Sequence, residues 1–239
     1  MDPLLIEILQ SATQGPAELE KSLDENKEKI TPELASMARE MFNQALRERD
    51  GDTAMLATIV ASQLYGRLGD RFNELRNQID FLQMRFMGAQ TADEYTHVRK
   101  QALELNHIAK SLPSIPLVFE TFTLAADCAF FASEASSGLD ADNWLVTSLE
   151  DLVSASDYAD QVKRGRVFEK FVSLLTAVVN NSMANVFLDP TKAKVEDLLK
   201  RLAQAVEKTI PVEFEFEGNA EKTAQTASVL TELADRYGN

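Results

Sequence analysis

Residues 61–72, Ala-Ser-Gln-Leu-Tyr-Gly-Arg-Leu-Gly-Asp-Arg-Phe, constrain the fold of this chain more than any other stretch. They join two segments in which apolar residues recur at helical spacing. The small residue Ala61 is followed four positions later by Tyr65, and four positions after that by Gly69 and Asp70. A glycine followed by aspartate is typical of one helix ending and another beginning. The stretch therefore predicts an antiparallel helical hairpin.

The composition extends this prediction to the whole chain. Of 239 residues only 9 are Gly and 7 are Pro, and 45% are hydrophobic. Few helix breakers and a normal apolar content favour helix over sheet. We therefore expect an all-α fold of about nine helices, packed as stacked antiparallel hairpins.

Local signals place the helix starts in the first half. Thr31 followed by Pro32 is a typical helix start, because Thr caps and Pro suits the first turn. Asp52 or Thr53 is expected to cap the next helix. Thr91 and Glu94 have the spacing of a capping box, in which each residue satisfies a free amide of the other.

Pro113 and Pro116 mark the clearest interruption, since two prolines three residues apart exclude a continuous helix. We expect one region of helical hairpins over residues 1–112 and a second helical region over residues 116–239. The helices that carry Phe119 and Val167 are bulky and apolar, and we expect them to be the most buried. Asp140 is expected to cap the helix between them.

One segment of the second half has a strand-like pattern. Residues 212–217, Val-Glu-Phe-Glu-Phe-Glu, alternate apolar and acidic side chains between Pro211 and Gly218. No second strand is evident to pair with it. We therefore expect an extended segment that lies on an apolar groove, pairs with a second copy in a homodimer, or accepts a partner strand.

The hairpin around residues 53–84 resembles a tetratricopeptide-like helical repeat. Ala61, Tyr65, Gly69 and Asp70 match the small, aromatic and turn positions of that family. The chain departs from the family pattern by lacking a Trp at the start of the first helix and a Pro after Phe86. The resemblance covers about residues 31–112. It implies an α-solenoid of right-handed stacked hairpins whose concave face binds peptides or proteins.

The charge narrows the range of partners. The chain has 24 basic and 38 acidic residues, for a net charge of −14. Binding to a nucleic acid or an anionic membrane needs clustered Lys and Arg, so neither is an expected partner. A basic protein surface fits this charge. The first residues lack the basic region of a signal peptide, and no stretch of about 20 apolar residues is evident. We expect a cytoplasmic protein.

Candidate chemistry is sparse in the sequence. Glu94 with His97, and Glu104 with His107, have the spacing of helical metal ligands, but both pairs lie on one predicted helix about 15 Å apart. Cys128 is the only cysteine, and it lies in an apolar stretch without a neighbouring His. The basic run over residues 163–166 fits a solvated turn, with binding of a phosphate or an acidic partner as the alternative. We assign no catalytic, cofactor or metal residues.

These observations favour a non-enzymatic scaffold or adaptor that binds a partner protein or peptide on a helical groove. The alternative is a helical enzyme or small-ligand-binding protein with an apolar pocket in the second half. Aromatic residues of that half would line the pocket: Phe119, Phe122, Phe130, Phe131, Trp144, Phe168 and Phe171.

Overall fold

The computed structural model describes residues 2–162, 165–209, 216 and 218–238. In these residues all regular secondary structure is helical, which confirms the all-α prediction, with eleven α-helices rather than about nine. Their bounds are α1 Pro3–Gln14, α2 Pro16–Glu25, α3 Pro32–Glu48, α4 Gly51–Arg67, α5 Arg71–Gly88, α6 Ala92–Ala109, α7 Ile115–Glu134, α8 Gly138–Ala159, α9 Arg166–Ala184, α10 Asp189–Thr209 and α11 Ala220–Tyr237.

The chain forms two compact units, Met1–Gly88 and Ala89–Asn239. The first unit holds α1 to α5, and the second holds α6 to α11. The proline-containing turn between α6 and α7, where the sequence analysis placed a boundary between regions, lies inside the second unit.

Side-chain caps set several helix starts. Thr31 caps α3, and Thr91 with Glu94 forms the predicted capping box of α6. The cap of α4 is Asp50, whose carboxylate accepts from the amide of Thr53, so the prediction of Asp52 or Thr53 was wrong. The first turn of α4 includes Gly51.

The predicted turn between α4 and α5 is present. Gly69 has φ +73°, a left-handed conformation that glycine adopts without a steric penalty. The amide of Asp70 donates to the carbonyl of Tyr65 at 3.0 Å, and the Asp70 carboxylate accepts from the amide of Asn73 at 3.1 Å. Asp70 therefore helps to end α4 and caps α5, which places the two helices antiparallel.

The first unit is built around α4. This helix packs against α3 on one side, α5 on another and, over a smaller area, α1, which also packs on α2. Small buried residues, Ala57 and Ala61 of α4 and Ala35 and Ala38 of α3, allow the helices to approach closely. Leucine, isoleucine and valine from α1, α2, α3 and α4 fill the rest of the core.

The second unit is organised around α7, which packs against α6, α8 and α9. The next layer is formed by α10 against α8 and α11, and by α11 against α9. Helix α7 is buried on almost all sides, as predicted, whereas α9 buries one apolar face. The helix after α7 begins at Gly138 with Ser137 as its first flanking residue, so Asp140 lies in its first turn and is not the cap that we predicted.

Helix α7 is also a candidate membrane span by length and composition, with a mean hydropathy of 1.5, which differs from the prediction that no such stretch exists. It is the one such helix among the described residues. Of that apolar stretch 72% is buried inside the second unit. A core helix has the same composition, because its side chains are covered by neighbouring helices.

The predicted extended segment, residues 212–217, lies outside the described residues except for Phe216. The Phe216 ring is buried in the core of the second unit. Its amide donates to the Thr223 hydroxyl at 3.1 Å, and the Lys222 ammonium lies 4.4 Å from the ring centroid. Phe216 is therefore fixed against the start of α11.

Candidate functional site

The first candidate site is a polar seam between α3 and α5 in the first unit. The Arg39 guanidinium of α3 donates to the Asn77 amide oxygen at 3.0 Å and forms an ion pair with Asp80. Asn77 and Asp80 both lie on α5. Since the Asp80 side chain is only 7% exposed, the paired guanidinium compensates for much of the cost of burying its charge.

Neighbouring groups hold the seam in place. The Asn77 side chain donates to the carbonyl of Asn73 at 2.7 Å, and the Thr58 hydroxyl of α4 donates to the carbonyl of Asn77 at 3.1 Å. The Arg39 guanidinium also lies over the Phe42 ring, 4.7 Å from its centroid. These contacts bridge α3 and α5, which both pack on α4.

We call the polar surface between these two helices, with the seam at its centre, the α3–α5 groove. It consists of Arg39 and Asn43 of α3 with Asn73, Arg76, Asn77 and Asp80 of α5. Asn43 lies one turn after Arg39 on the same helix face, and Asn73 lies one turn before Asn77. Arg76 approaches Asp80 at 3.7 Å, and the Arg39 and Arg76 side chains are 25% and 33% exposed. The groove therefore presents guanidinium and amide groups to solvent.

Tyr65 lies close to this seam. Partial burial and the negative charge of Asp70 raise the pKa of the Tyr65 hydroxyl, and the positive charge of Arg39 opposes that increase. The phenol therefore stays protonated at neutral pH and acts as a neutral polar group beside the groove.

The second candidate is a buried charged cluster in the second unit, formed by Arg99, Asp127, Asp151 and Lys170 around Cys128. Arg99 of α6 binds Asp151 of α8 through two nitrogen–oxygen contacts. Lys170 of α9 binds Asp127 of α7 at 2.7 Å. Burial raises the pKa of both carboxyl groups, and the paired cations oppose that increase. The cluster thus joins four helices through two nearly buried carboxylates, whose partners Arg99 and Lys170 are 21% and 39% exposed.

Cys128 lies at the centre of this cluster with its side chain fully buried. Burial, and next the negative charge of Asp127, raise the pKa of the Cys128 thiol. A thiol with a raised pKa and no solvent access is a poor nucleophile and a poor metal ligand. The cluster therefore has the chemistry of a structural core, with no open position for a substrate.

The histidine pairs singled out in the sequence lie on α6, where His97 and His107 are both exposed. Glu94 accepts from the amide of Thr91 at 3.1 Å and from the amide of Gln90 at 2.9 Å in the cap of that helix. Within the described ranges no three His, Cys, Asp or Glu side chains come together as metal ligands. Lys163 and Arg164 of the basic run lie outside those ranges. Gly165 precedes α9 and Arg166 begins it, and both are exposed.

The aromatic residues proposed for an apolar pocket mostly contact one another. The Phe119 ring lies 5.1 Å from Phe171 and 6.5 Å from Phe168, and Phe122 lies 6.2 Å from Tyr158. Phe119, Phe168 and Phe171 are fully buried. These rings fill the space between α7, α8 and α9. Phe131 is partly exposed and contacts Tyr95 at 5.6 Å.

The groove residues were not identified from the sequence. Arg39 and Asp80 are separated by 41 positions, and each looks like an ordinary charge on an amphipathic helix. Their positions gave one indication: both residues border the apolar stripe of their helix, where a partly buried charge needs a partner. That signal does not identify the partner.

Comparisons with protein families, with curated proteins and with solved structures find no match to this chain.

Proposed function

We propose that this chain is a protein-interaction scaffold or adaptor, without enzymatic activity, that binds a partner protein or peptide in the α3–α5 groove. The observation that carries the proposal is the contact of Arg39 with Asn77 and Asp80, which bridges α3 and α5, two helices that both pack on α4. This arrangement supports the tetratricopeptide-like reading of residues 31–112, in which such helices line a binding face.

The groove chemistry suits a polypeptide ligand. Guanidinium and amide groups donate to backbone carbonyl oxygens, and the Asn43 and Asn73 amides also accept from backbone N–H groups. Such groups recognise a peptide main chain without requiring one side chain. The net charge of −14 attracts positive charge over a long range, so we propose a partner that is basic outside the segment that contacts Arg39 and Arg76, and neither nucleic acid nor membrane. A cytoplasmic location remains part of the proposal.

Site-specific crosslinking tests the proposal. A photoreactive amino acid at Asn43, inside the groove, should capture one defined partner in cells, and the same amino acid at Gln10, an exposed position of α1, should not. The identified partner is then titrated against the purified chain. Asn43→Arg should weaken binding by at least about tenfold, because it adds bulk and positive charge to the groove. Gln10→Arg, with the same charge change, should leave binding unaltered.

Two results would contradict the proposal. One is equal capture from Asn43 and Gln10, and the other is a partner whose affinity is the same for both arginine variants. The alternative function, a helical enzyme or small-ligand-binding protein with an apolar pocket, predicts a stoichiometric small molecule in the native mass spectrum of the purified chain.

A further inference from the structure

The link between α9 and α10 exposes two apolar side chains beside a hollow of the second unit. Val186 is 98% exposed and Leu188 is 70% exposed, whereas Phe187 between them is buried. Val186 stands at the rim of a hollow of about 450 Å³ beside the start of α10. A protruding apolar group and a cavity therefore lie next to each other on one surface.

The hollow has an apolar floor and a charged rim. Val195 and Leu199 of α10 line it together with Phe187, and all three are buried in the core of the second unit. Lys192 and Glu196 stand at the rim with their nitrogen and oxygen 4.0 Å apart, both more than half exposed. The rim thus carries charges of both signs within one helical turn.

We infer that this surface, residues 182–199 with Tyr237, is a homodimer interface in which Val186 and Leu188 of one copy enter the hollow of the other. A twofold axis makes every contact twice, so it requires a surface that is complementary to itself. Here the protruding Val186 and Leu188 lie next to the hollow. Lys192 of one copy can form an ion pair with Glu196 of the other. A second copy is inferred because the protruding apolar groups, the hollow and charges of both signs lie together on a single patch.

Like net charges oppose the association, because each copy carries −14. Added salt screens that long-range repulsion and leaves the apolar contact intact. The dimer should therefore tighten as the salt concentration rises, which is opposite to the behaviour of a complex held by attraction between net charges. Binding of a basic partner in the α3–α5 groove should weaken with salt, so the two sites are distinguishable in one protein.

Sedimentation velocity of the full chain over a wide concentration range tests the interface. The wild type should shift from monomer to dimer as concentration rises. The double variant Val186→Asp, Leu188→Asp should dimerise at least about tenfold more weakly, because both copies lose their apolar contacts. Leu139→Asp changes another exposed leucine of the second unit and should behave as the wild type. Circular dichroism and urea unfolding establish that the variants fold.

A crosslinking experiment locates the contact. Because Cys128, the single cysteine of the sequence, is buried, Val186→Cys adds the one accessible thiol. A short bis-maleimide should join two copies of Val186→Cys and should not join two copies of Leu139→Cys. The inference is overturned by a wild type that stays monomeric, by a dimer that both aspartates leave intact, or by a native mass spectrum of a monomer with a small molecule bound.

Discussion

The guanidinium of Arg99 holds the carboxylate of Asp151 at two points, Nε to Oδ2 at 2.7 Å and Nη2 to Oδ1 at 3.1 Å. The two residues belong to α6 and α8, which both pack on α7. Their side chains are 21% and 8% exposed. A planar two-point contact at this depth fixes the direction of both side chains, and it ties the two helices that flank α7.

Arg99→Ala should lower the free energy of unfolding of the second unit by about 3–5 kcal/mol, because it leaves a buried carboxylate without its cation. Urea unfolding followed by circular dichroism measures this loss. Arg236→Ala is the matched control, since it breaks a pair with Glu232 in which both side chains are half exposed. It should cost less than about 1 kcal/mol.

The double variant Arg99→Met, Asp151→Leu tests whether the buried ion pair stabilises the fold more than two apolar side chains of similar size. Apolar residues of similar size need no partner, so the double variant should be more stable than Arg99→Ala. A double variant less stable than Arg99→Ala would contradict this prediction. A double variant less stable than the wild type would mean that the ion pair contributes more to folding than the burial of its charges costs.

Asp127 should make the stability of the chain depend on pH. Burial raises the pKa of its carboxyl above the ordinary value of 3.8. At a pH between the unfolded and the native pKa, the native chain therefore keeps a proton that the unfolded chain has lost. The stabilisation from this group is full below pH 3.8 and is lost as pH rises through the native pKa. In Asp127→Asn this dependence is absent. The unfolding free energy of the wild type minus that of the variant should therefore decrease from about pH 4 upward.

Urea unfolding at a series of pH values measures this difference, and Asp151→Asn should give the same sign because burial also raises the pKa of Asp151. A difference that increases with pH would mean that Lys170 outweighs burial and that the native pKa of Asp127 is lowered.

Cys128 should resist thiol reagents in the native chain. Its side chain is fully buried and its pKa is raised by burial, so little thiolate is present or accessible. Labelling with a maleimide should be slow in buffer and complete in concentrated urea. Stoichiometric labelling of the native protein at the rate of a free thiol would falsify the closed packing around α7.

Phe216→Ala should destabilise the second unit by about 3–5 kcal/mol, because it removes a buried ring from a packed core. Limited proteolysis should cut the variant faster near the start of α11, where Phe216 contacts Thr223 and Lys222. Phe72→Ala, at a position 49% exposed, serves as the control and should change stability by about 0.5 kcal/mol or less. Equal protease resistance of the wild type and Phe216→Ala would show that the ring does not anchor α11.

Features that depend on neighbouring residues were predictable from the sequence. The capping box of Thr91 and Glu94 involves two residues three positions apart, and the turn at Gly69 and Asp70 depends on adjacent residues. The cap of α4 was missed because Asp50 and Asp52 are equally good caps. Only the chain direction after Arg49, whose φ is +61°, decides between them.

Features that depend on distant residues were not predictable. Arg99 and Asp151 are 52 positions apart, and Asp127 looks like a lone charge in an apolar helix. Helical periodicity predicts one covered face for α7, but the helix is covered on almost all sides. The pairing of Lys170 with Asp127 follows from the packing of α9 on α7, which no local pattern determines. The hollow beside Val186 was missed for the same reason.

The short links of the first unit bear on how it folds. Two residues join α3 to α4, and three residues join α4 to α5. Closing such short loops costs little chain entropy, so these neighbouring helices can meet early. The segment that separates α1 from α4 is much longer, because it includes α2 and α3. Folding of this unit should therefore nucleate at α3, α4 and α5, with α1 and α2 joining later and unfolding first.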